Sequence, residues 1–397
     1  MKILFITHRM PKVPGKGDQV RAFQQMKSLV KKGHTVHFLF QEKDEAHWCC
    51  ASSLIEGSGK EKQKMKVKNK SLSIIRSFLL KGYPLSVSLH SFPVLKAFLT
   101  SITSQVHYDV IHIQSKVLHN FSSLNISNST VVVDYIDAIS LNLERRYHWA
   151  KNPLEKLAVK GELGRMKKYE SFIRDQGVKT IITSPADKEF LHSRRAKQVN
   201  VVPNYIDLSY FHLNHSIEDK KKALVFTGTM NYAPNVDAAM RLVKDIYLPL
   251  REKFSDLECW LVGAYPSADV QKLSKISGVM VTGFVEDIRP WQWKAAVYVC
   301  PLRFGAGQQN KILEAAALGC SIVMSNITNS GIGFTHNEEA LICEQNKEFV
   351  EHTEQLLINR ELAAKLAGRA REFVAHRFSE EVVTDRLIST YTKADNY

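Results

Sequence analysis

The sequence predicts an α/β chain built from two Rossmann-like, doubly wound domains. Three observations predict it. Short apolar runs recur from end to end, each closing on polar or glycine residues. Stretches with helical apolar spacing separate most of them. At 397 residues the chain exceeds one ordinary core, and two domains of about 150–200 residues are the default.

The elements follow in order. KILFIT at 2–7 is continuously apolar, as a strand buried on both faces requires. The loop PKVPGKGD follows. Helical spacing then runs from Gln19 to Lys32 through Val20, Phe23, Lys27 and Val30. Gly33 ends it and TVHFLF is the next strand, a βαβ opening of a parallel sheet. Further strands are expected at 109–113, 130–137 and 180–185, and NVVPNYID at 200–207 closes the first half. A second series starts at 223–228 and continues at 259–263, 279–284, 297–301, 321–325 and 340–343. The expected domains are 1–205, 206–376 and a closing helix at 377–397, with a hinge near 204–222. The tail from Arg360 to Ala394 reads as two amphipathic helices broken near Phe378 and Ser379, with Ser379 as N-cap before two acids.

Between 41 and 100 the rhythm fails. Lysines recur at 60, 62, 64, 66, 68 and 70, and an apolar stretch with basic flanks follows. The segment is expected as a surface insertion, and the Lys60–Lys81 region fits docking on an anionic lipid surface.

Composition narrows the function. The chain is 44% hydrophobic and 24% charged, with no apolar run of membrane-spanning length and an N-terminus too short in apolar residues for a secretory signal. A cytoplasmic protein is expected, peripheral on the inner face of the plasma membrane. None of the six cysteines form a C-x-x-C pair and no H-E-x-x-H occurs, so reduced core cysteines and no metal site are expected. The net charge of +14 suits phosphate-rich partners. Nucleic acid is disfavoured, because the basic run lacks interleaved aromatics and no recognised module appears. A nicotinamide oxidoreductase is disfavoured because no G-x-G-x-x-G follows a first strand.

Ligands of open parallel sheets bind beyond the carboxyl ends of the strands. Two stretches there carry chemistry. After the first strand, HRMPKVPGKGDQVR brings Gly17, Asp18 and Arg21 to a glycine loop and helix start that can hold an anion. After the strand 297–301 comes PLRFGAGQQNKILEAAALG. Gly305, Ala306 and Gly307 let the backbone approach a ligand, and the N–H groups of Gln308 and Gln309 suit a diphosphate. Lys311 adds a point charge, and Glu314 follows at i+3 on the same face. A carboxylate beside a phosphate site reads as an acceptor for ribose hydroxyls. The plain alternative is a surface salt bridge over an apolar core face.

These residues resemble the signature of family 4 glycosyltransferases of the GT-B fold, two Rossmann-like domains facing a cleft with a last helix crossing back to the first. FTGTMNYAPNVDA, GFVEDIRP and VVPNYIDLSYF add to the resemblance. The opening P-x-x-G-D-x-x-R and VVVDYIDAIS…RRY look like the exosortase-associated sugar transferases. The resemblance implies transfer of a sugar from a nucleotide-sugar, a UDP- or GDP-sugar, to a lipid-linked or saccharide acceptor, without a cofactor. The second domain would bind the donor and the first the acceptor.

Two departures stand out. The resemblance expects Glu-x7-Glu, and Glu314 matches the second acid, but Ala306 stands at the first. That acid usually contacts the donor sugar, so the sugar is left open. The resemblance also expects Arg and Lys after the first strand of the second domain, where Thr229, Met230 and Asn235 stand instead. Lys311 and Arg303 are then expected to carry the positive charge at the diphosphate. In the first domain, Asp134 and Asp137 follow a strand and are candidate general bases or hydroxyl acceptors. His112, Asp18 and Arg21 are candidate acceptor contacts. A retaining front-face reaction needs no protein base; an inverting one would use Asp134 or Asp137. The rivals are a non-transferring GT-B enzyme, such as a nucleotide-sugar epimerase, and a basic non-catalytic binding protein.

Overall fold

Lys2–Ile6 (β1) is buried from Ile3 to Ile6, and both its neighbours run parallel to it. This needs a run apolar on both faces, as KILFI is. In this computed structural model the described residues are 1–13, 15–42, 45–56, 61–66, 70–91, 94–121, 128–150, 152–192, 199–213 and 220–392. The chain divides into two compact units, Met1–Pro203 with Val383–Tyr397, and Asn204–Val382.

The first unit holds an eight-stranded sheet. Its further strands are Thr35–Glu42 (β2), Glu45–Cys50 (β3), Glu61–Lys66 (β4), Val110–Gln114 (β5), Thr130–Asp134 (β6), Lys179–Ile182 (β7) and Val199–Val201 (β8). The order is β4-β3-β2-β1-β5-β6-β7-β8, parallel except for β3 and β4.

The 41–100 segment corrects the sequence reading. EAHWCC and EKQKMK are antiparallel strands of the main sheet, and Ala46, Trp48, Val87, Phe98 and Ile102 lie in its core. A strand period of 2 explains the lysine alternation: Met65 packs on the core while Lys62, Lys64 and Lys66 share the other face. Charged side chains on an edge strand also discourage pairing with other chains. Lys60 and Lys68 lie outside the described residues.

The second unit holds six parallel strands: Lys221–Thr227 (β9), Glu258–Val262 (β10), Val279–Val281 (β11), Ala295–Cys300 (β12), Ile322–Ser325 (β13) and Leu341–Cys343 (β14). Their order is β11-β10-β9-β12-β13-β14, which puts β9 and β12 at the centre. Ala223–Phe226 and Val297–Cys300 are wholly buried.

Three helices end the chain: Asn346–Ile358, Arg360–Phe378 and Glu380–Thr392. The last carries Tyr391 into the first unit, where its hydroxyl lies 2.7 Å from His112 Nδ1. No helix among the described residues is long and apolar enough to cross a membrane. The six cysteines are free.

Candidate active site

In the second unit, the turn after β12 ends in the helix Asn310–Ala317, with Gln309 as N-cap. Gly305 and Gly307 have φ of 147° and 72°, backbone that side chains rarely adopt. Ala306 is half-buried, and its carbonyl accepts from Gln309 Nε2 at 3.3 Å. One helical turn on, Lys311 reaches back over the tip of β9. Its Nζ donates to Asn235 Oδ1 at 2.7 Å and sits 4.5 Å from the centre of the Phe226 ring. Asn235 Nδ2 in turn donates to Thr229 O at 3.0 Å.

The room for that amine comes from Gly228. A Cβ there would lie 3.0 Å from Lys311 Nζ and 2.7 Å from Asn235 Nδ2. Gly263, after β10, is tighter still, since its Cβ would fall 1.9 Å from Gly228 O. Two glycines back to back thus let the tips of adjacent strands and a cation converge.

Burial depresses the Lys311 pKa, with Cys300 and Glu314 opposing. Burial also pushes Glu314 up to about 7, with Lys311 opposing. A half-buried carboxylate of raised pKa thus follows a desolvated amine by one helical turn at a glycine turn.

One side chain expected at the diphosphate is held elsewhere. Arg303 forms a bidentate pair with Asp237, its Nε 2.8 Å from Oδ2, instead of standing free for a diphosphate. Gln308 turns its side chain away from the turn: Oε1 accepts from Asn204 N at 2.6 Å and Nε2 donates to Asn204 O at 3.3 Å. The helix starts two residues later than the glycine turn suggested, so Gln308 and Gln309 precede it. Thr229 is exposed.

The first unit gathers groups at the same edge of its own sheet. Asp18 lies 2.9 Å from His8 Nε2 and accepts from Arg9 Nη1 at 3.1 Å. His8 Nδ1 lies 2.6 Å from Gln114 Oε1. Burial raises the Asp18 pKa, but its hydrogen bond to His8 and the charges of His8 and Arg9 outweigh this and hold it below the usual range. Lys116 follows β5; burial lowers its pKa, opposed by Asp18 and Asp137. Gly17 begins the helix Gly17–Lys31 and is exposed.

Asp137 and Asp134 part company. Asp137 is half-buried beside Thr183, whose Oγ1 lies 3.3 Å from its Oδ1. Burial and then Asp187 raise its pKa to about 7. It follows Ile136, a β-branched residue at φ 66°. Two bonds hold that strained backbone: Thr183 N and Oγ1 donate to Ile136 O at 3.1 and 2.8 Å. Asp134 is 1% exposed and saturated. It accepts from Arg21 Nε at 2.7 Å, Arg21 Nη2 at 3.3 Å and Ile136 N at 2.9 Å, with His112 Nε2 at 3.5 Å. His112 also stacks on Phe5 at 4.3 Å. The expectation that Asp134 acts as a base and Arg21 and His112 meet the acceptor is therefore corrected: the three are buried against one another.

Residues 221–359, in the second unit, match the model of the family described as glycosyl transferases group 1. No curated protein sequence matches the chain. Solved structures match over nearly the whole length. Sucrose-phosphate synthase from Thermosynechococcus elongatus is 16% identical, covers 98% of each chain and has a TM-score of 0.66. Anabaena Alr3699/HepE, solved with UDP and glucose, is 13% identical over 99% of this chain and 100% of its own, at 0.66. WaaG, a glycosyltransferase involved in lipopolysaccharide biosynthesis, is 13% identical over 99% and 100%, at 0.62.

The chain has the GT-B fold.

The span that matches the glycosyl transferases group 1 model contains Gly228, Asn235, Gly263, Lys311 and Glu314. The residues missed by sequence reading are His8, Gln114 and Lys116 in the first unit and Asn204 in the second. The strand-end rule applied to VIHIQSK would have reached Gln114 and Lys116. Nothing in the pattern around Asn204 signals its pairing with Gln308.

Proposed function

We propose that this chain is a glycosyltransferase that takes a sugar from a uridine diphosphate-sugar and passes it to a hydroxyl of a saccharide or lipid-linked acceptor in cell-surface polysaccharide or glycolipid synthesis. One observation carries the donor reading: a desolvated lysine amine, fixed by Asn235 over the tip of β9, one turn before a carboxylate of raised pKa. Solved structures of similar fold support the choice of donor and product class. HepE is described in complex with UDP-glucose, WaaG acts in lipopolysaccharide biosynthesis, and TarM is described with UDP and alpha-GlcNAc-glycerol. The opening and VVVDYIDAIS motifs favour the exosortase-associated branch among such enzymes.

In this reading the Lys311 amine and the backbone amides around Gly305–Gly307 meet the diphosphate, and Glu314 accepts from the ribose hydroxyls. As the bond from the anomeric carbon to the diphosphate oxygen breaks, negative charge grows on that oxygen. The fixed cation and N–H dipoles stabilise it without metal. The acceptor oxygen bonds to the anomeric carbon on the same face and its proton passes to the leaving phosphate, which retains configuration and needs no protein base. Asp18, Lys116 and Asp137 are the proposed acceptor-side groups. An inverting course would use Asp137 as base, since its pKa near 7 suits proton transfer at neutral pH.

The acceptor side includes a lipid surface. The helix Lys70–Leu79 turns Ile74, Ser77 and Phe78 inward and carries further apolar side chains outward. Its inward Ser77 bonds Ser91, while Leu72, Ile75 and Leu79 stand outward at 65%, 54% and 65% exposure, with Leu80 beyond at 79%. Arg76, Lys81 and the β4 lysines supply positive charge for anionic headgroups.

The deciding experiment is turnover of UDP-sugars by Lys311→Ala and Glu314→Ala. Loss in both is expected; wild-type rates in both sink the assignment. Product analysis without acceptor separates transfer from epimerisation.

A further inference from the structure

The opposite end of the second sheet holds a recess that plays no part in the donor reading. Lys221 opens β9 there, Ala296 lies at the start of β12, and Ser321 precedes β13. The cavity volume is about 460 Å³, and small-molecule pockets run from roughly 300 to 1,000 Å³. Its floor is one face of the helix Arg360–Phe378, where Ala363, Ala364, Ala367 and Ala375 recur at helical spacing and fill little space. Leu318, Leu356 and Trp293 form apolar walls. Leu213 leans onto Gly319, where a Cβ would sit 2.6 Å from its Cδ1.

The rim is basic. Lys220 is committed to the carbonyls of Trp293 and Ala295, each at 3.2 Å, and Lys222 to Asp256 at 2.9 Å. Lys221, Arg360 and Arg371 make no ion pair among the described residues, and Glu372 is the one acid among the described lining residues. An apolar floor under uncommitted cations fits a molecule with an alkyl chain and an anionic head.

We propose that this recess binds a single-chain anionic amphiphile, its chain along the alanine face and its carboxylate or phosphate against Arg360, Arg371 and Lys221. The test is titration of the full-length protein with palmitate and, separately, with lysophosphatidylglycerol, both below micelle formation, followed by tryptophan fluorescence. Saturable binding of one or both is expected, and which one binds identifies the head. Ala367→Phe, which fills the recess, and the double variant Arg360→Glu/Arg371→Glu should each weaken binding about tenfold or more. UDP binding should stay unchanged in both. If Ala367→Phe does not fold, the rim variant decides alone. No saturable binding, equal affinity in the folded variants, or equally tight binding of neutral lysophosphatidylcholine overturns the proposal. The donor reading stands or falls separately, on UDP.

Discussion

Lys311 Nζ donates to Asn235 Oδ1 at 2.7 Å across the tip of the central strand β9. The asparagine stands in the stretch where the family resemblance expects basic residues, and it fixes a cation supplied from another element. Hydrogen bonds to charged groups are worth about 1.5–3 kcal/mol. Lys311→Ala is therefore expected to weaken UDP binding by about ten- to a hundredfold by calorimetry. The melting temperature of the unliganded protein should not fall, because a desolvated amine is removed. Asn235→Ala should cost less, and Asn235→Asp more, since a carboxylate would pair with the amine and repel the diphosphate. Native UDP affinity in Lys311→Ala would refute the role.

Glu314 gives a pH signature with a defined sign. Its pKa in the folded protein is raised to about 7 from an ordinary 4.5, through burial opposed by Lys311. The folded state thus holds this proton more tightly than the unfolded state. The contribution to stability is complete below about 4.5 and is lost as pH rises through 7. Urea denaturation at pH 5 and pH 8 should show Glu314→Gln gaining on the wild type at the higher pH. Ribose hydroxyls donate to the ionised form, so wild-type UDP affinity should rise with pH through about 7. A parallel rise in Glu314→Gln would remove the carboxylate from the site.

How far these features were legible depends on where their cause lies. The buried strands were readable, because a parallel strand covered on both faces must be apolar throughout, as KILFI and ALVF are. The glycine turn, Lys311 and Glu314 were readable as one local stretch. Arg303 misled because its partner, Asp237, is remote in sequence and only the fold brings them together. The lysine alternation at 62–66 is a strand period, but without an apolar run it read as an insertion. Asp134 and Asp137 look alike in sequence; the left-handed turn at Ile136 separates a buried ion pair from a half-buried acid.

Arg21 and Asp134 are each buried and pair at 2.7 Å. Removing one partner leaves an uncompensated charge, which costs about 3–5 kcal/mol. Arg21→Met should lose that much in urea denaturation at pH 7, and Arg21→Met/Asp134→Leu should recover part of it. Burial raises the Asp134 pKa, but Arg21 and His112 outweigh it and leave it well below the ordinary value. Its stability contribution is therefore present above about pH 4 and lost as pH falls, and Arg21→Met should blunt that acid sensitivity. A fully stable Arg21→Met with a raised acceptor KM alone would return Arg21 to the acceptor site.

The outward apolar side chains of the helix Lys70–Leu79 make the last prediction. A helix on a soluble surface turns its apolar stripe inward; here Ile74 and Phe78 lie inward beside Ser77, yet Leu72, Ile75 and Leu79 also face out. The proposed bilayer contact would cover these outward side chains, with Arg76 and Lys81 meeting anionic headgroups. Flotation with phosphatidylglycerol vesicles should recover the wild-type protein, and vesicles of phosphatidylcholine alone should recover much less. Added salt should weaken the binding, because each basic residue near the surface contributes about 1 kcal/mol of screened attraction. Leu72→Ser/Ile75→Ser/Leu79→Ser should abolish flotation while leaving UDP affinity and melting temperature near wild type, since the three side chains contribute little to the core. Undiminished flotation of that variant would show that the outward leucines are not the membrane contact.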